Sequence, residues 1–472
     1  MRPTVAIIGG GLAGIAAAVR LAKSDFRPVL IETRKRLGGR ATSLVDPRSG
    51  KIIDNCQHVL MGCCTNLIDL YDRLGVIDSI QWHKTLFWTR GGAGGEVDRM
   101  RPGWLPAPFH LSASFGAMRI FSKADKRHIA RAMWRMIRMG AHGRVAWADR
   151  TFGEFLRQCD QPPELVRAFW NTIIVSACNL DVDRVAASSA LHVFQDGFLA
   201  NRWSYTMGLA TVPLAELYAP AIDFIIENGG DIQLGCSAKA IAFDGRRVSG
   251  VITEDGAIES AAVISAVPFD RLDKLASETM KSIDQRLQSL NQFQVSPILG
   301  VHLWFDQEIM GLPHLVLVDP PEGVQWLFNK GLGPDGRQHI HAVISGADAW
   351  MALDEDEIIA RVVSDVHYAL PGSIGLQPVE ARSIKEKRAT FAPLPGVEGM
   401  RPSAAPGYVG ARGGGIENLL LAGDWTDTGW PATMEGAVRS GYAAAAAALG
   451  DRTGGLVEDV PAGWLARLLG LR

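Results

Sequence analysis

Three glycines near the N-terminus have the spacing that lets a polypeptide backbone approach a pyrophosphate. Gly9, Gly11 and Gly14 follow a strand-like run that begins at Thr4, and an apolar stretch suited to a helix comes next. The first glycine of such a pattern allows a tight turn, the second admits the pyrophosphate, and the third lets the helix pack against the strand. Glu32 ends a second strand-like run 18 residues beyond Gly14, where its carboxylate can accept hydrogen bonds from ribose hydroxyls. The residues predict a dinucleotide site at a helix N-terminus; the alternative is a glycine-rich turn in an ordinary βα unit.

A second segment of this kind lies close to the other end of the chain. Gly423 and Asp424 follow a strand-like run that starts at Asn418, and an alanine-rich helix is predicted to begin near Met434. A helix N-terminus carries a partial positive charge, which favours a negatively charged group in front of it. We therefore expect both ends of the chain to contribute to one cofactor site.

The triplet Gly38-Gly39-Arg40, which follows the Glu32 strand, distinguishes flavin from nicotinamide binding. It resembles the flavoprotein superfamily of amine oxidases, carotenoid desaturases and Rab GDP-dissociation inhibitors. The resemblance implies that the cofactor is FAD, that Gly38 and Gly39 pass close to it, and that Arg40 helps to hold it. It also implies that Asp424 contacts the ribityl–phosphate part of FAD and that the backbone at Ala238 contacts the adenine. The helix that begins near Met434 would face the flavin ring.

The same resemblance implies an α/β fold, in which a Rossmann-type FAD-binding domain of the glutathione reductase type is interleaved with an α+β substrate domain. A chain of 472 residues is longer than one ordinary domain. We expect a discontinuous FAD-binding domain at 1–69, 211–289 and 396–450, a substrate domain at 70–210 and 290–395, and a C-terminal tail at 451–472. Within the substrate domain we predict that 70–210 is helical. The second part should hold strands near 297–305, 314–319, 339–345 and 378–388 and a helix near 354–370.

Composition excludes several other classes of protein. The formal net charge of -2 gives no reason to expect nucleic acid binding. The six cysteines include no Cys-x-x-Cys pair, which favours a reducing compartment and provides no zinc framework. His339 and His341 alternate as on a strand, without a nearby ligand set, so we expect no metal site. No run of 18 or more apolar residues predicts a membrane-spanning helix.

The segment Asp54-Asn-Cys-Gln-His58, followed by Gly62-Cys-Cys-Thr-Asn66, narrows the resemblance. It is similar to the hydroxysqualene dehydroxylases, a family of squalene-associated FAD-dependent enzymes, and the string from Ala422 to Gly441 matches the same group. The resemblance implies reduction of hydroxysqualene to squalene in hopanoid or related isoprenoid lipid synthesis. Reduced flavin N5 would deliver hydride to an allylic carbon.

Such a reaction needs a proton donor for the departing hydroxyl and a dry channel for a long hydrocarbon. Asp54 and His58 are the candidates for acid or proton relay, because this turn borders the flavin in related folds. Alternatively, Asp54 caps the following turn and His58 bonds to the backbone. Cys56 is interpreted as a small packing residue. Trp425 and Trp430 either line the channel, where their π-faces stabilise a cation, or belong to the core.

Two oxidative enzymes and one binding protein are the alternatives. A carotenoid desaturase of the phytoene type shares the expected fold and lipid channel. Amine oxidases usually place a tyrosine where Thr433 stands, which counts against amine oxidation. A binding protein of the Rab-inhibitor type would retain the fold without flavin chemistry. No second dinucleotide motif appears, so the residues do not identify the electron donor that reduces the flavin.

A membrane surface is the expected partner of one basic segment. Residues 101–150 hold ten Lys or Arg and two acids. Arg127, Arg131, Arg135 and Arg138 fall at helical spacing on one face, and apolar residues with Trp134 fall beside them, as in an interfacial helix. The tail that begins at Trp464 is a second candidate contact. We expect a cytoplasmic, peripherally membrane-associated protein; the alternative is a solvated arginine face over an ordinary core stripe.

Overall fold

The computed structural model describes residues 2–91, 96–406, 414–451 and 454–471. Within these residues the chain forms twenty β-strands. In chain order they are β1 (Thr4–Ile8), β2 (Arg27–Glu32), β3 (Ser43–Val45), β4 (Ile52–Asp54), β5 (Val59–Met61), β6 (Ile80–His83), β7 (Leu86–Thr89), β8 (Val97–Met100), β9 (Met207–Ala210), β10 (Asp231–Leu234), β11 (Ala238–Phe243), β12 (Val248–Thr253), β13 (Gly256–Glu259), β14 (Ala262–Ser265), β15 (Val295–Phe305), β16 (His314–Leu317), β17 (Trp326–Leu332), β18 (Gln338–Ser345), β19 (Glu380–Phe391) and β20 (Leu419–Leu421).

The α-helices of the described residues are mostly short, and two π-helical segments, at Val166–Asn171 and Val193–Leu199, continue them. In chain order the α-helices are α1 (Leu12–Ala22), α2 (Thr65–Arg73), α3 (Ser112–Ala117), α4 (Lys123–Gly143), α5 (Phe152–Arg157), α6 (Pro163–Leu165), α7 (Thr172–Cys178), α8 (Ala187–His192), α9 (Leu214–Tyr218), α10 (Pro220–Glu227), α11 (Phe269–Leu275), α12 (Glu278–Ile283), α13 (Glu355–Ala369), α14 (Met434–Ala448) and α15 (Trp464–Leu468).

A five-stranded parallel sheet forms the centre of the nucleotide-binding part. Its strand order is β10-β2-β1-β14-β20, so strands from both ends of the chain and from its middle pair side by side. The central strands β1, β2 and β14 are almost wholly buried, as expected where both faces of a parallel sheet are covered. The alanine-rich α14 packs against α1 so closely that a Cβ at Gly441 would lie 2.2 Å from the carbonyl oxygen of Ala13.

A seven-stranded sheet forms the second large layer, with the order β19-β15-β18-β17-β16-β7-β8. Side chains alternate between its two faces, as the pleat of a strand requires. On β16, Leu315 and Leu317 pack on one face in a core shared with α13, whereas Val316 packs on the other with Phe328 and Val343. This second face is directed towards the helices α4–α8 and towards the cavity described below.

The α/β prediction is confirmed by the parallel sheet, but the secondary structure of the substrate region was predicted only in part. The predicted strands and helix near 297–305, 314–319, 339–345, 354–370 and 378–388 are present as β15, β16, β18, α13 and β19. The prediction that 70–210 is helical is wrong in four places, where β6, β7, β8 and β9 form, and β17 was not predicted. These strands are short or interrupted by polar residues, so their sequence pattern is weak. The strands β6, β7 and β9 pair with strands distant in sequence, whereas β8 and β17 pair with their neighbours along the chain.

Candidate cofactor and active site

A cavity of about 940 Å³ is lined by residues of both large sheets. Its polar end is formed at the carboxyl ends of β1, β2, β14 and β20, which is where open parallel sheets bind their ligands. Its other end is lined by apolar side chains of the seven-stranded sheet and of α7. Ten of the eleven predicted FAD-binding residues line it; Gly14 does not.

The glycine turn after β1 leaves room for a phosphate only in front of Gly11. A Cβ at Gly14 would lie 1.8 Å from the carbonyl oxygen of Gly9, so this position admits no side chain. At Gly11 the nearest atom to a Cβ would be Gly39 Cα at 3.9 Å, and the residue borders the cavity. A side chain there would occupy the space that the pyrophosphate needs, at the N-terminus of α1.

Glu32 is fixed at the cavity wall by two backbone donors. The N–H of Gly10 donates to Oε2 at 2.7 Å, and the N–H of Arg34 donates to Oε1 at 2.7 Å. Each carboxylate oxygen keeps a further lone pair, so the group can still accept hydrogen bonds from ribose hydroxyls. Ala238, the predicted adenine contact, borders the same part of the cavity at the start of β11.

The Gly38-Gly39-Arg40 triplet and the Gly423-Asp424 pair meet at the cavity wall. Arg40 Nη2 donates to Asp424 Oδ1 at 2.6 Å, and Arg40 Nη1 donates to the carbonyl oxygen of Ala389 at 2.8 Å. Gly39 backs onto Gly11, because a Cβ at Gly39 would lie 3.0 Å from Gly11 Cα. The two glycine motifs therefore form one continuous wall.

The N-terminus of α14 closes this wall. Met434 is its first residue and borders the cavity. Thr433, which stands at the position of the amine-oxidase tyrosine, caps the helix by accepting a hydrogen bond from the N–H of Gly436 at 3.0 Å. The adjacent Glu435 is fully buried and accepts the N–H groups of Asn66 and Leu67 at the start of α2. The helix end is thus anchored while its free N–H groups remain available to an anion.

Asp54 does not border the cavity, in contrast to our expectation for a proton donor. Its Oδ1 accepts from the Ser43 hydroxyl at 2.8 Å and from the N–H of Leu214 at 3.0 Å, and its Oδ2 lies 3.4 Å from Lys330 Nζ. Since both oxygens are occupied and the residue is 6% exposed, the carboxylate joins β4 to the start of α9. The alternative interpretation held that Asp54 caps the turn that follows it, but the N–H that its carboxylate accepts belongs to Leu214 at the start of α9.

His58 and Cys56 do border the cavity. The Nδ1–H of His58 donates to the carbonyl oxygen of Cys56 at 2.9 Å, which leaves Nε2 with the lone pair in the neutral ring. Burial lowers the pKa of His58 and raises the pKa of the Cys56 thiol to about 12. A thiol with such a pKa is a poor nucleophile, in agreement with a packing role for Cys56.

His339 and His341 belong to a stack of imidazoles behind this turn. His302 Nε2 donates to the carbonyl oxygen of Asp54 at 3.0 Å, and His302 Nδ1 lies 2.9 Å from His339 Nε2. The His341 ring stacks on His302 with centroids 3.9 Å apart. Across the described ranges, no group of three His, Cys, Asp or Glu side chains is arranged to hold a metal ion.

The two tryptophans of the C-terminal segment occupy different surroundings. Both border the cavity. Trp425 is 1% exposed, donates its Nε1–H to the carbonyl oxygen of Val267 at 3.1 Å, and packs with Phe269 and Phe293 in the core. Trp430 contacts the His192 ring edge-on, with centroids 4.7 Å apart. Trp430 is therefore the tryptophan whose ring meets an ionisable group in the cavity.

His192 and Asp196 border the cavity, although neither was predicted from the sequence to be functional. His192 ends α8, and Asp196 lies one turn later in the π-helical segment; His192 Nδ1 is 3.2 Å from Asp196 Oδ2. Arg144 Nη1 donates to the same oxygen at 2.5 Å. The spacing of four residues was a readable signal for a pair on one helix face, but the cavity beside that face was not.

Comparison with known proteins places this site in a family. A family model for flavin containing amine oxidoreductases matches residues 12–449. The 15-cis-phytoene desaturase of Synechococcus elongatus is 24% identical over 455 residues, which cover 93% of this chain and 94% of the desaturase. The chloroplastic/chromoplastic 15-cis-phytoene desaturase of Narcissus pseudonarcissus is 26% identical over 454 residues, which cover 93% of this chain and 78% of that protein.

The fold has a counterpart among solved structures. Putrescine oxidase bound to putrescine is similar with a TM-score of 0.70 and 17% identity, over 95% of this chain and 99% of that one. At this identity the likeness concerns the fold alone, and it confirms the predicted FAD-binding architecture. Because the family model also covers most of the sequence, the chain belongs to the flavin containing amine oxidoreductases and is an FAD-dependent oxidoreductase.

Proposed function

We propose that this oxidoreductase removes the hydroxyl group of hydroxysqualene and yields squalene, as a step in hopanoid or related isoprenoid lipid synthesis. The observation that carries the proposal is the composition of the cavity beyond the FAD-binding wall. An apolar surface built from the seven-stranded sheet and from α7 is joined by ionisable side chains at the cofactor end. The apolar surface includes Trp88, Ile298, Val316, Trp326, Phe328 and Val343.

The ionisable side chains favour an alcohol over a hydrocarbon as the substrate. Placing His58, His192 and Asp196 in an otherwise apolar channel costs free energy, because polar groups lose their hydration there. A polyene substrate offers no polar group to compensate this cost. The hydroxyl of an allylic alcohol does, and it also needs a proton in order to leave as water.

Reduced FAD supplies the two electrons, in the form of a hydride, that this reaction consumes. The overall balance is one allylic alcohol, one hydride and one proton giving one hydrocarbon and one water. The chain itself must bind the isoprenoid, exclude water and hold the proton near the leaving oxygen. The apolar wall and the imidazoles are suited to these three tasks. The sequence predicted Asp54 or His58 as the proton donor. Asp54 does not border the cavity and bonds to Ser43 and Leu214, so His58 is the one of these two residues that could reach a substrate.

A carotenoid desaturase is the second candidate. It is favoured by the phytoene desaturases, which are 24% and 26% identical over 93% of this chain. An oxidised flavin would then remove hydrogen from a polyene in the same channel. Amine oxidation is less favoured, because Thr433 serves as a helix cap where amine oxidases usually have an aromatic side chain.

We further propose a cytoplasmic location at an anionic membrane surface. On α4, Arg127, Arg131, Trp134 and Arg138 share one exposed face, since positions separated by three, four and seven residues align on a helix. Arg135 is engaged differently and lies over the rings of Trp147 and Phe155. No helix among the described residues is long and apolar enough to cross a bilayer.

The tail supports the same surface. The N–H of Ala141, near the end of α4, donates to the carbonyl oxygen of Leu471 at 3.0 Å, so the tail lies beside α4. Trp464 and Leu468 on α15 are 63% and 74% exposed. Exposed Trp and Leu next to arginines are typical of an interfacial surface.

Anaerobic single-turnover reactions test the proposed function. The protein is reduced with dithionite, freed of excess reductant and mixed with hydroxysqualene, phytoene or an amine panel, and products are identified by mass. We expect squalene to form in proportion to flavin reoxidised. Desaturation of phytoene by the oxidised protein, without any squalene from the reduced protein, would establish the second candidate instead.

A further inference from the structure

We propose that His192, held by Asp196, is the proton donor to the departing hydroxyl group. The inference rests on the proposed dehydroxylation and identifies the site that performs its acid step. His192 and Asp196 border the cavity, and their Nδ1 and Oδ2 atoms are 3.2 Å apart. An imidazole beside a carboxylate is a recurrent arrangement for proton transfer, because the carboxylate orients the ring and stabilises the imidazolium.

The carboxylate of the pair is rigidly placed. Arg144 Nη1 donates to Asp196 Oδ2 at 2.5 Å and also reaches Gln195 Oε1 at 3.4 Å. Gln195 in turn donates through Nε2 to the carbonyl oxygens of Met136 and Gly140, both at 2.9 Å. The guanidinium compensates the buried negative charge, and the amide anchors the segment to α4. The segment is π-helical, a conformation that is frequent at functional sites.

The pair lies at the cofactor end of the channel. The His192 ring contacts Trp430, and the residues that follow Trp430 lead directly to the cap Thr433 and to Met434 at the start of α14. The proton donor, an aromatic ring and the FAD-binding helix therefore meet at one place. Trp430 borders the cavity here, and the Arg439 guanidinium lies over its ring, 5.6 Å from the centroid.

His58 is less suited to the same role. Its Nδ1–H donates to the Cys56 carbonyl oxygen at 2.9 Å, which is a neutral partner. Burial lowers the pKa of His58 by more than the charges of Asp54 and Glu386 raise it, so the neutral ring, with Nε2 unprotonated, predominates near pH 7. His192 differs because a carboxylate is its neighbour.

The acid step conserves atoms and charge. The C–O bond of the allylic alcohol breaks, and its electron pair leaves with the oxygen. That oxygen takes a proton from the His192 imidazolium and departs as water. When bound, reduced FAD would supply the hydride that completes the balance, and the carbon would gain a C–H bond in place of its C–O bond. His192 regains its proton from solvent before the next turnover.

Cys63, Cys64 and Glu435 are further ionisable groups that border the cavity, and Arg439 lies beside Glu435. The pKa of the Cys63 thiol is raised well above its ordinary value by its contact with Cys64 and by burial, so it stays neutral. Glu435 accepts the N–H groups of Asn66 and Leu67 and lies 3.4 Å from Arg439 Nη1. Asp196 is therefore the carboxylate in position to act on His192.

The variants His192→Gln and Asp196→Asn, with His367→Gln on α13 as matched control, test the inference. Each is loaded with FAD, reduced anaerobically and mixed with hydroxysqualene from pH 5.5 to 9. We expect His192→Gln to retain FAD and to lose about 10²–10⁴-fold in flavin reoxidation rate, the range typical of a general acid. Asp196→Asn should move the alkaline limb of the wild-type rate profile to lower pH, because the imidazolium loses its stabilising charge. The control should match the wild type.

A second measurement does not depend on turnover. The ¹⁵N-histidine NMR spectrum of the oxidised protein without substrate should contain one imidazole that is absent from His192→Gln and whose pKa falls in Asp196→Asn. The inference is overturned if His192→Gln reduces hydroxysqualene at the wild-type rate, or if Asp196→Asn leaves that pKa unchanged. A wild type that makes no squalene refutes the proposed function, and the acid role of His192 with it, even where the NMR result shows that the two side chains interact.

Discussion

Arg40 and Asp424, which are separated by 384 positions in the sequence, form an ion pair of 2.6 Å at the wall of the cavity. The Asp424 side chain is 7% exposed, and the Arg40 side chain is 33% exposed. The pair connects the segment after β2 to the segment after β20, so it determines the width of the FAD-binding wall. Arg40 also reaches the carbonyl oxygen of Ala389 on β19, and thereby links this wall to the second sheet.

Breaking this pair should weaken FAD binding. We expect Arg40→Gln and Asp424→Asn each to lower FAD affinity by about tenfold or more, because the remaining mostly buried charge is left without its partner. The measurement is fluorescence titration of the apoprotein with FAD. Arg157→Gln is the control, since Arg157 pairs with Asp183 at 3.2 Å in an exposed position. Equal affinity of Arg40→Gln and the control would contradict a role of Arg40 in this wall.

A side chain at Gly11 should prevent FAD loading. The position borders the cavity with no atom closer than 3.9 Å to a Cβ, so a side chain there would extend into the space predicted for the pyrophosphate. We expect purified Gly11→Val to be colourless, with the far-UV circular dichroism of the wild type. Gly116→Val on α3, where a Cβ also has open space, should remain yellow.

Acid precipitation should release FAD from the wild type into the supernatant. Flavin retained in the pellet would disprove noncovalent binding.

Asp54 should matter for stability more than for proton transfer. Its carboxylate satisfies the Ser43 hydroxyl and the Leu214 N–H in a buried position. Asp54→Asn should lower the free energy of unfolding by about 1–3 kcal/mol, the cost of disturbing buried hydrogen bonds. We expect its single-turnover rate with hydroxysqualene to stay within about tenfold of the wild type, below the loss expected for a general acid. A loss of about 10³-fold with unchanged stability would restore Asp54 as the acid.

The structure shows which parts of the site could be predicted from the sequence. The glycine turn, Glu32 and the Gly423-Asp424 pair depend on short segments whose strand, turn and helix follow one another in the chain. Asp54 and His58 were proposed because of the resemblance to related folds, but a sequence does not state which distant N–H a carboxylate accepts. One partner of Asp54 is Leu214, 160 positions away.

The pair of His192 and Asp196 could not be recognised as part of a site from the sequence alone. Its spacing of four residues on consecutive helical segments was visible, but many such pairs lie on solvated helix faces. Only the packing of α8 against the Trp430 segment, 238 positions later, places the imidazole in a cavity. The strands β6, β7 and β9 were missed for a related reason, since each pairs with a strand distant in sequence. The strand β8 pairs only with its neighbour β7.

Buried histidines should make the protein sensitive to mild acid. Burial lowers the pKa of His302 to about 4 and the pKa of His314 to about 3. Between pH 6.5 and 4 these imidazoles bind protons in the unfolded chain but not in the folded one, so the free energy of unfolding falls as the pH falls. Each such histidine contributes about 1.4 kcal/mol per pH unit in this window.

His314→Phe tests this linkage at one position. His314 is fully buried between the rings of Phe87 and Trp326, which can accommodate another aromatic side chain. In urea unfolding with saturating FAD, the variant should lose stability between pH 6.5 and 4.5 less steeply than the wild type, by about one proton. An unchanged slope would mean that His314 is protonated in the folded protein.

The exposed arginine face of α4 should bind anionic membranes. Arg127→Gln, Arg131→Gln and Arg138→Gln together should release the protein from vesicles of phosphatidylglycerol and phosphatidylcholine, because each basic residue near such a surface contributes about 1 kcal/mol. Arg135 is left unchanged, since its guanidinium donates to Gln158 Oε1 at 2.9 Å and supports the fold.

The same number of substitutions at the exposed Arg157, Arg184 and Arg337 controls for net charge. Cosedimentation at low salt, with FAD absorbance as a check of folding, measures the difference. If both triple variants lose binding equally, general charge rather than this face attracts the protein; if the wild type does not sediment with the vesicles, the arginines of α4 form only a solvated face.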